Sequence, residues 1–162
     1  MSTLTIVVRE IDASEAAMLL PLLNQVQSLH SAAYPQIFRT ETDTEQLAAF
    51  LNEWVSREGV TTLVAESDAG AFVGYAIGEI HEHTESPLKR ASRLGLIQHV
   101  AVDEEYRCLG IGLQLIEELK SRLRASGIER VQAQHYIFNA ASAALMRKAG
   151  LEPLRVTVEG TA

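Results

Sequence analysis

The chain has a single cysteine, Cys108, among its 162 residues, and 6% of its residues are aromatic. One thiol cannot form an internal disulfide, which excludes a small disulfide-stabilised module and favours a reducing compartment. Long apolar runs are also lacking, so no segment reaches the length of a membrane span. The N-terminus has neither the basic region nor the apolar core of a signal peptide. We therefore predict a cytoplasmic location and no membrane partner.

Positive charge is scarce as well, since the formal net charge is -7. A chain without a broad basic surface does not hold nucleic acid by releasing counterions, so no nucleic-acid partner is expected. It must bind an anionic cofactor locally, and its acidic surface favours cationic substrates such as amines. With 47% hydrophobic and 22% charged residues, the composition predicts one globular domain over residues 1–162.

Hydrophobic periodicity predicts an alternation of strands and helices. A helix should begin near Asp12 and break at Pro21, and Thr42 with Glu45 resembles the capping box of a second helix. The residues around 81–90 are polar and predict a loop. Strands are predicted over 4–10, 60–66, 71–80, 94–102, 129–136 and 154–158, and later helices over 112–126 and 139–149.

The most informative segment joins the strand at 94–102 to the following helix, and it reads Arg-Cys-Leu-Gly-Ile-Gly over 107–112. Glycines let a ligand approach the backbone closely, and the helix start offers unpaired N–H groups to an anion. A dinucleotide-binding turn would need a third glycine where Leu115 stands, and a P-loop would need Gly-Lys-Ser/Thr. The pattern therefore predicts a phosphate site of another class.

Two segments together resemble the GNAT N-acetyltransferases, the Gcn5-related superfamily. Residues 100–112 are similar to that family's acetyl-CoA signature, and residues 139–151 to its terminal helix followed by Lys, any residue, Gly and a large apolar residue. The resemblance implies an α/β fold with a mostly antiparallel sheet of about six or seven strands and helices on both faces. It also implies direct transfer of an acetyl group from acetyl-CoA to a primary amine in a ternary complex, without a metal.

The same resemblance assigns the cofactor contacts. The strand backbone would pair with the pantetheine arm, the loop amides would hold the pyrophosphate, and Asn139 would bond the pantetheine arm while also capping its helix. Cys108 lacks an adjacent base, so a nucleophilic role is not expected. The predicted cofactor-binding residues are Val100, Ala101, Val102, Arg107, Cys108, Leu109, Gly110, Ile111, Gly112, Asn139 and Ser142.

The position of the family's general acid departs from the pattern. Many members have a tyrosine seven residues after the asparagine, where this chain has Met146. A thiol has a pKa of about 8.5, so a leaving thiolate tolerates the loss of this acid. Tyr136 is the candidate replacement for this acid, and water is the alternative. The other interpretation of Tyr136 is an ordinary aromatic side chain at the end of a strand.

The general base is equally open, because the family's glutamate positions hold Leu96 and Gln98. His99 has a suitable pKa range, and Glu79 on the preceding strand is the next candidate. Strict alternation places His99 on the same face as Ile97 and opposite Gln98, although a bulge would change these faces.

His81 and His83, two residues apart, also raise the possibility of a metal site, but two ligands do not make one. The acceptor pocket is expected between residues 21–44 and the loop 81–92. It would take a small-molecule amine or a protein N-terminus or lysine, and a homodimer remains open. The alternatives are a catalytically weak acyl-CoA-binding module or a protein-interaction domain of the same fold.

Overall fold

The computed structural model describes residues 5–162, and a sheet of five strands forms its centre. The strands lie in chain order across the sheet, and the first four are antiparallel neighbours while the fifth runs parallel to the fourth. Their bounds are β1 Ile6–Ile11, β2 Val60–Ser67, β3 Phe72–His83, β4 Ser92–Val102 and β5 Val131–Ala133.

The strand count is lower than the sequence predicted, because residues 154–158 form no strand. Their alternating apolar side chains, Leu154, Val156 and Val158, are 75%, 76% and 88% exposed. A strand is held by hydrogen bonds to a neighbour, and β5 pairs only with β4 among the described residues. Alternation alone therefore overstated the sheet.

Helices fill the connections between strands. A 3-10 helix spans Ala13–Leu19, a short one spans Glu104–Tyr106, and the α-helices are α1 Leu20–Ala33, α2 Thr44–Ser56, α3 Ile111–Ala125 and α4 Ala140–Lys148. Pro21 lies in the first turn of α1, which explains the predicted break, since proline is tolerated there. The cap of α2 is Asp43 rather than Thr42, because the Asp43 carboxylate accepts a hydrogen bond from the Gln46 amide at 2.8 Å.

The helices cover both faces of the sheet, as predicted. One face packs against α3 and α4 through a buried cluster that includes Leu115 and Leu119, and the other packs against α1, α2 and the first 3-10 helix. Close contact with α3 requires glycine in the strands: a Cβ at Gly95 would lie 2.6 Å from Leu123 Cδ1. We call these the α3 face and the α1 face.

A β-bulge interrupts β4 at Gln98. His99 pairs with Ile77 but Ile97 pairs with Gly78, so Gln98 is an extra residue without an opposite partner in β3. The bulge separates two residues that strict alternation placed together: Ile97 packs on the α3 face, whereas His99 stacks on Tyr75 of the α1 face. The prediction of a shared face for Ile97 and His99 is wrong for this reason.

The strands β4 and β5 separate shortly after they meet. Only residues 95–97 of β4 pair with residues 131–133 of β5, and the predicted strand over 129–136 is correspondingly short. Beyond Ile97, the β4 edge that faces away from β3 has no strand partner within the described part of the chain. This fork exposes backbone N–H and C=O groups in the middle of the molecule.

Candidate active site

The loop that follows β4 forms an anion-binding cradle at the start of α3. Cys108 and Gly110 both have left-handed backbones, with φ of +64° and +83°. Gly110 is the N-cap of α3, no side chain caps the helix, and a Cβ built on Gly110 would meet nothing within 4 Å. The first-turn amides of a 15-residue helix are therefore available to a ligand, at the positive end of its dipole.

The fork and the cradle meet at one place. A Cβ at Gly112 would lie 3.1 Å from Leu145 Cδ2 and 3.5 Å from Val102 Cγ2, so the end of β4, the start of α3 and the middle of α4 converge there. Arg107 bends back toward the fork, and its Nε donates to the Val102 carbonyl at 3.2 Å. Asn139 caps α4, where its Oδ1 accepts from the Ser142 amide at 2.9 Å. The end of β4, the start of α3 and α4 thus adjoin one another.

Gln25 of α1 makes two hydrogen bonds to the segment that follows β4, and the sequence did not predict this contact. Its Nε2 donates to Asp103 Oδ2 at 3.1 Å, and its Oε1 accepts from the Glu104 amide at 3.2 Å. The connection joins α1 to the segment between β4 and the cradle. The two hydrogen bonds therefore link the position of α1 to that of the segment before the cradle.

Glu79 lies on the α1 face in a polar network with two neighbours. Gln98 Nε2 donates to Glu79 Oε2 at 2.9 Å, and His81 Nε2 lies 3.5 Å from the same oxygen. The Glu79 side chain keeps 19% of its surface exposed and that of His81 keeps 35%, so both remain accessible. The bulge leaves Gln98 and His99 on the same face, and the Gln98 amide, which cannot titrate, orients the Glu79 carboxylate through its hydrogen bond. His81 belongs to β3, and the loop predicted from residue 81 begins only after His83.

His99 lies on the same face but is held by aromatic neighbours. Its Nδ1 is 2.8 Å from the hydroxyl of the fully buried Tyr75, and its ring stacks on that tyrosine and meets the edge of Trp54. Burial, and secondarily the charge of nearby His30, lowers the pKa of His99 to about 4. Burial also raises the pKa of Tyr75, so the hydroxyl donates to a neutral imidazole. These surroundings make His99 a weak base.

Tyr136 lies beyond the fork, in the segment between β5 and α4. Its ring centroid is 5.4 Å from that of His30 and 5.3 Å from that of Tyr34, so it contacts the end of α1. Met146 is buried in the cluster of the α3 face with 7% exposure and offers no proton at the fork. Of the two positions considered for an acid, only Tyr136 has an ionisable side chain, and it keeps 36% of its surface exposed.

The described residues contain no group of three or more His, Cys, Asp or Glu side chains placed to hold a metal ion. His83 is exposed at the end of β3, and Glu82 instead pairs with Arg93 at 3.0 Å. Cys108 is exposed in the cradle. In addition, no helix within residues 5–162 has the length and apolar character needed to cross a bilayer.

The family model for the acetyltransferase (GNAT) family matches residues 23–151. The chain belongs to this family. The match begins within α1, includes the whole fork, the cradle and α4, and ends at the residue that follows the Gly150 turn. The predicted GNAT membership is therefore confirmed.

Among curated proteins, an L-methionine sulfoximine/L-methionine sulfone acetyltransferase of Pseudomonas paraeruginosa is 35% identical over 99 residues, which is 60% of this chain and 54% of that protein. The same-named protein of Pseudomonas aeruginosa matches to the same extent. The aligned part of this GNAT chain thus spans about half the length of the curated relatives.

Solved structures share the GNAT fold at lower identity. A tetramutant of the BH1408 protein from Bacillus halodurans superposes with a TM-score of 0.85 at 21% identity, covering 96% of this chain and 99% of that one. Aminoglycoside N-acetyltransferase AAC(6')-Iy in complex with CoA gives a TM-score of 0.77 at 15% identity, covering 99% and 97%. At these identities the likeness establishes the fold alone.

Proposed function

We propose that this protein transfers the acetyl group of acetyl-CoA to the nitrogen of a small primary amine, by direct attack in a ternary complex. The observation that supports this most strongly is the fork between β4 and β5, which opens beside the uncapped start of α3. An extended ligand with a phosphate at one end fits that shape. Membership in the acetyltransferase family and the names of the curated relatives support the same reaction.

The fit to acetyl-CoA follows the edge of β4 that has no strand partner among the described residues. Val100, Ala101 and Val102 present their open edge to the pantetheine arm, which would pair with it as a short strand. The amides of residues 107–112 would hold the pyrophosphate, because a Cβ-free Gly110 leaves the space above the helix start open. The Asn139 oxygen already caps α4, so its amide nitrogen is the group left for the pantetheine arm.

Acetyl-CoA supplies the acetyl group as an activated thioester. The amine must reach it uncharged, and we assign the removal of the ammonium proton to Glu79, held by Gln98 and backed by His81. The amine lone pair then attacks the thioester carbonyl carbon, the C–N bond forms as the C–S bond breaks, and the nitrogen releases its second proton to water. The thiolate leaves with the electron pair of that bond and takes a proton from water or Tyr136. His99, which burial keeps neutral, would line the site as a hydrogen-bonding side chain rather than act as the base.

A small-molecule acceptor is favoured by the relatives, whose names specify methionine sulfoximine and methionine sulfone. A protein N-terminus or lysine as acceptor, and a homodimer as the assembly, stay predictions from the sequence. The second candidate function is an acyl-CoA-binding module with little turnover. It is favoured by Met146, which is buried where many family members have their acid.

Thiol release from acetyl-CoA, followed over a panel of primary amines, separates the two functions. Glu79→Gln should lower kcat by roughly a hundredfold or more, because general base catalysis contributes about that factor. Glu53→Gln, which changes an exposed carboxylate on α2, is the matched control and should leave kcat unchanged. Both variants should keep the rise in Tm that CoA produces in the parent protein.

Thermal stabilisation by CoA without thiol release for any amine would favour the binding module. Absence of any CoA effect on Tm would contradict both functions and leave the protein-interaction domain. Full activity in Glu79→Gln would show that the base lies elsewhere.

A further inference from the structure

Five aromatic rings meet between the end of α1 and the segment that joins β5 to α4. His30 and Tyr34 come from the end of α1, Phe38 from the loop after it, and Tyr136 and Phe138 from the segment before α4. His30 stacks on Phe38 with centroids 4.8 Å apart, and Tyr136 lies 5.2 Å from Phe38. We name these five residues the aromatic wall. It joins parts of the chain that are about a hundred residues apart.

The wall contains no charged side chain at neutral pH, and part of it faces solvent. Burial lowers the pKa of His30, so its imidazole is neutral. Tyr136 and Phe138 keep 36% and 38% of their surface exposed. An aromatic cluster that exposes ring surface instead of burying it in a core is typical of a binding surface.

The position of the wall connects it with the reaction. His30 and Tyr34 lie at the end of α1, and α1 packs against the sheet face that carries His99 and Glu79. The wall therefore adjoins the side from which an amine would approach, while the cradle lies at the end of β4. Its rings offer flat apolar surface and no carboxylate for a polycationic ligand.

We propose that the aromatic wall selects the acceptor, and that the acceptor is a small primary amine carrying an aromatic or compact apolar group. This inference rests on the proposed function, because it concerns the amine of that same reaction. The apolar group packs against Phe38 and Tyr136, and the amine points toward Glu79. Polyhydroxylated, polycationic amines are disfavoured, since they would leave their polar groups without partners against the rings.

The test compares 2-phenylethylamine with ethanolamine, two primary amines of similar length near the nitrogen. We expect kcat/KM for 2-phenylethylamine to be roughly tenfold higher or more, the factor that burial of an apolar group supplies. Phe38→Ala and Tyr136→Ala should reduce this preference toward unity. Phe50→Ala is the matched control, because that ring is also exposed, at 46%, but contacts Trp54 on α2.

Tyr136→Phe separates a wall residue from an acid catalyst. The ring is kept, so the ratio of kcat/KM between the two amines should stay within about twofold of the parent ratio, whatever the hydroxyl contributes to kcat. A uniform loss of kcat for both amines in Tyr136→Phe would assign the hydroxyl to proton transfer. Tyr136 would lose its assigned role in specificity only if Tyr136→Ala kept the preference for 2-phenylethylamine over ethanolamine.

Calorimetry of amine binding with CoA present separates a failure of the proposed acetyl transfer from a failure of the aromatic wall to select the acceptor. Tighter binding of 2-phenylethylamine without any thiol release would contradict the proposed transfer but support the wall. Equal or weaker binding and turnover of 2-phenylethylamine relative to ethanolamine would overturn the wall. An unchanged preference in both alanine variants would overturn it as well.

Discussion

The buried imidazole of His99 makes a quantitative prediction about acid stability. Its pKa is lowered to about 4 by burial, whereas an unfolded chain binds the same proton near pH 6.5. Between these values the unfolded state holds more protons than the folded state. His99 therefore costs nothing above pH 6.5 and destabilises the folded protein progressively as the pH falls toward 4.

The magnitude follows from about 1.4 kcal/mol per pKa unit. At pH 5 the unfolded imidazole is mostly protonated and the folded one is not, which corresponds to roughly 2 kcal/mol, with partial exposure of the ring reducing it. For a domain of this size that is a fall of roughly 4–8 °C in Tm. His99→Gln removes the titration but keeps an acceptor for the Tyr75 hydroxyl.

The assay is urea unfolding at pH 7.5 and pH 5.0 for the parent protein and for His99→Gln. Carboxylates whose pKa values are lowered by hydrogen bonds, such as Asp12 and Glu15, lose stability on acidification in both proteins and cancel in the comparison. We expect the variant to lose less free energy of unfolding by about 2 kcal/mol. His83→Gln, at the exposed end of β3, is the control and should follow the parent. Parallel losses in the parent and His99→Gln would refute the claim that burial keeps this imidazole neutral.

Three further substitutions test the fold and the cofactor path. Gly95→Ala should destabilise the protein by roughly 1–3 kcal/mol in urea unfolding, because the new Cβ would lie 2.6 Å from Leu123 Cδ1, while Gly160→Ala should be neutral. Gly110→Ala should cost about 1 kcal/mol through its positive φ and weaken CoA binding by calorimetry; unchanged affinity would remove the cradle from the cofactor site. Asn139→Ala should cost about 1 kcal/mol as a lost cap and raise KM for acetyl-CoA several-fold, and a purely structural role would leave KM unchanged.

Much of the fold could be predicted because its local signals agree with its packing. The glycine segment at 107–112, the Asn139 cap and the leucine spacing of α3 each specify local structure that survives in the fold. The strand predicted over 154–158 does not form, because alternating apolar residues indicate a half-buried face but not a neighbouring strand to pair with. No local pattern states whether Val156 will find a strand to pair with.

The candidate catalytic groups were harder to place, since they depend on pairings between distant strands. His81 shares a face with Glu79 because β3 continues to His83, whereas the sequence predicted a loop from residue 81. Gln98 could not be placed, because its face depends on the bulge. Gln25 depends on how α1 packs against the segment after β4, a long-range contact without a local signature.

The single extra residue in β4 also affects how this strand is compared between sequences. Gln98 shifts the alternation of side chains along β4. Positions on the α1 face and positions on the α3 face exchange at this residue. An alignment with a bulge-free strand is correct on only one side of Gln98 unless it opens a one-residue gap there. A match or mismatch at the family's glutamate positions has chemical meaning only after that gap is placed.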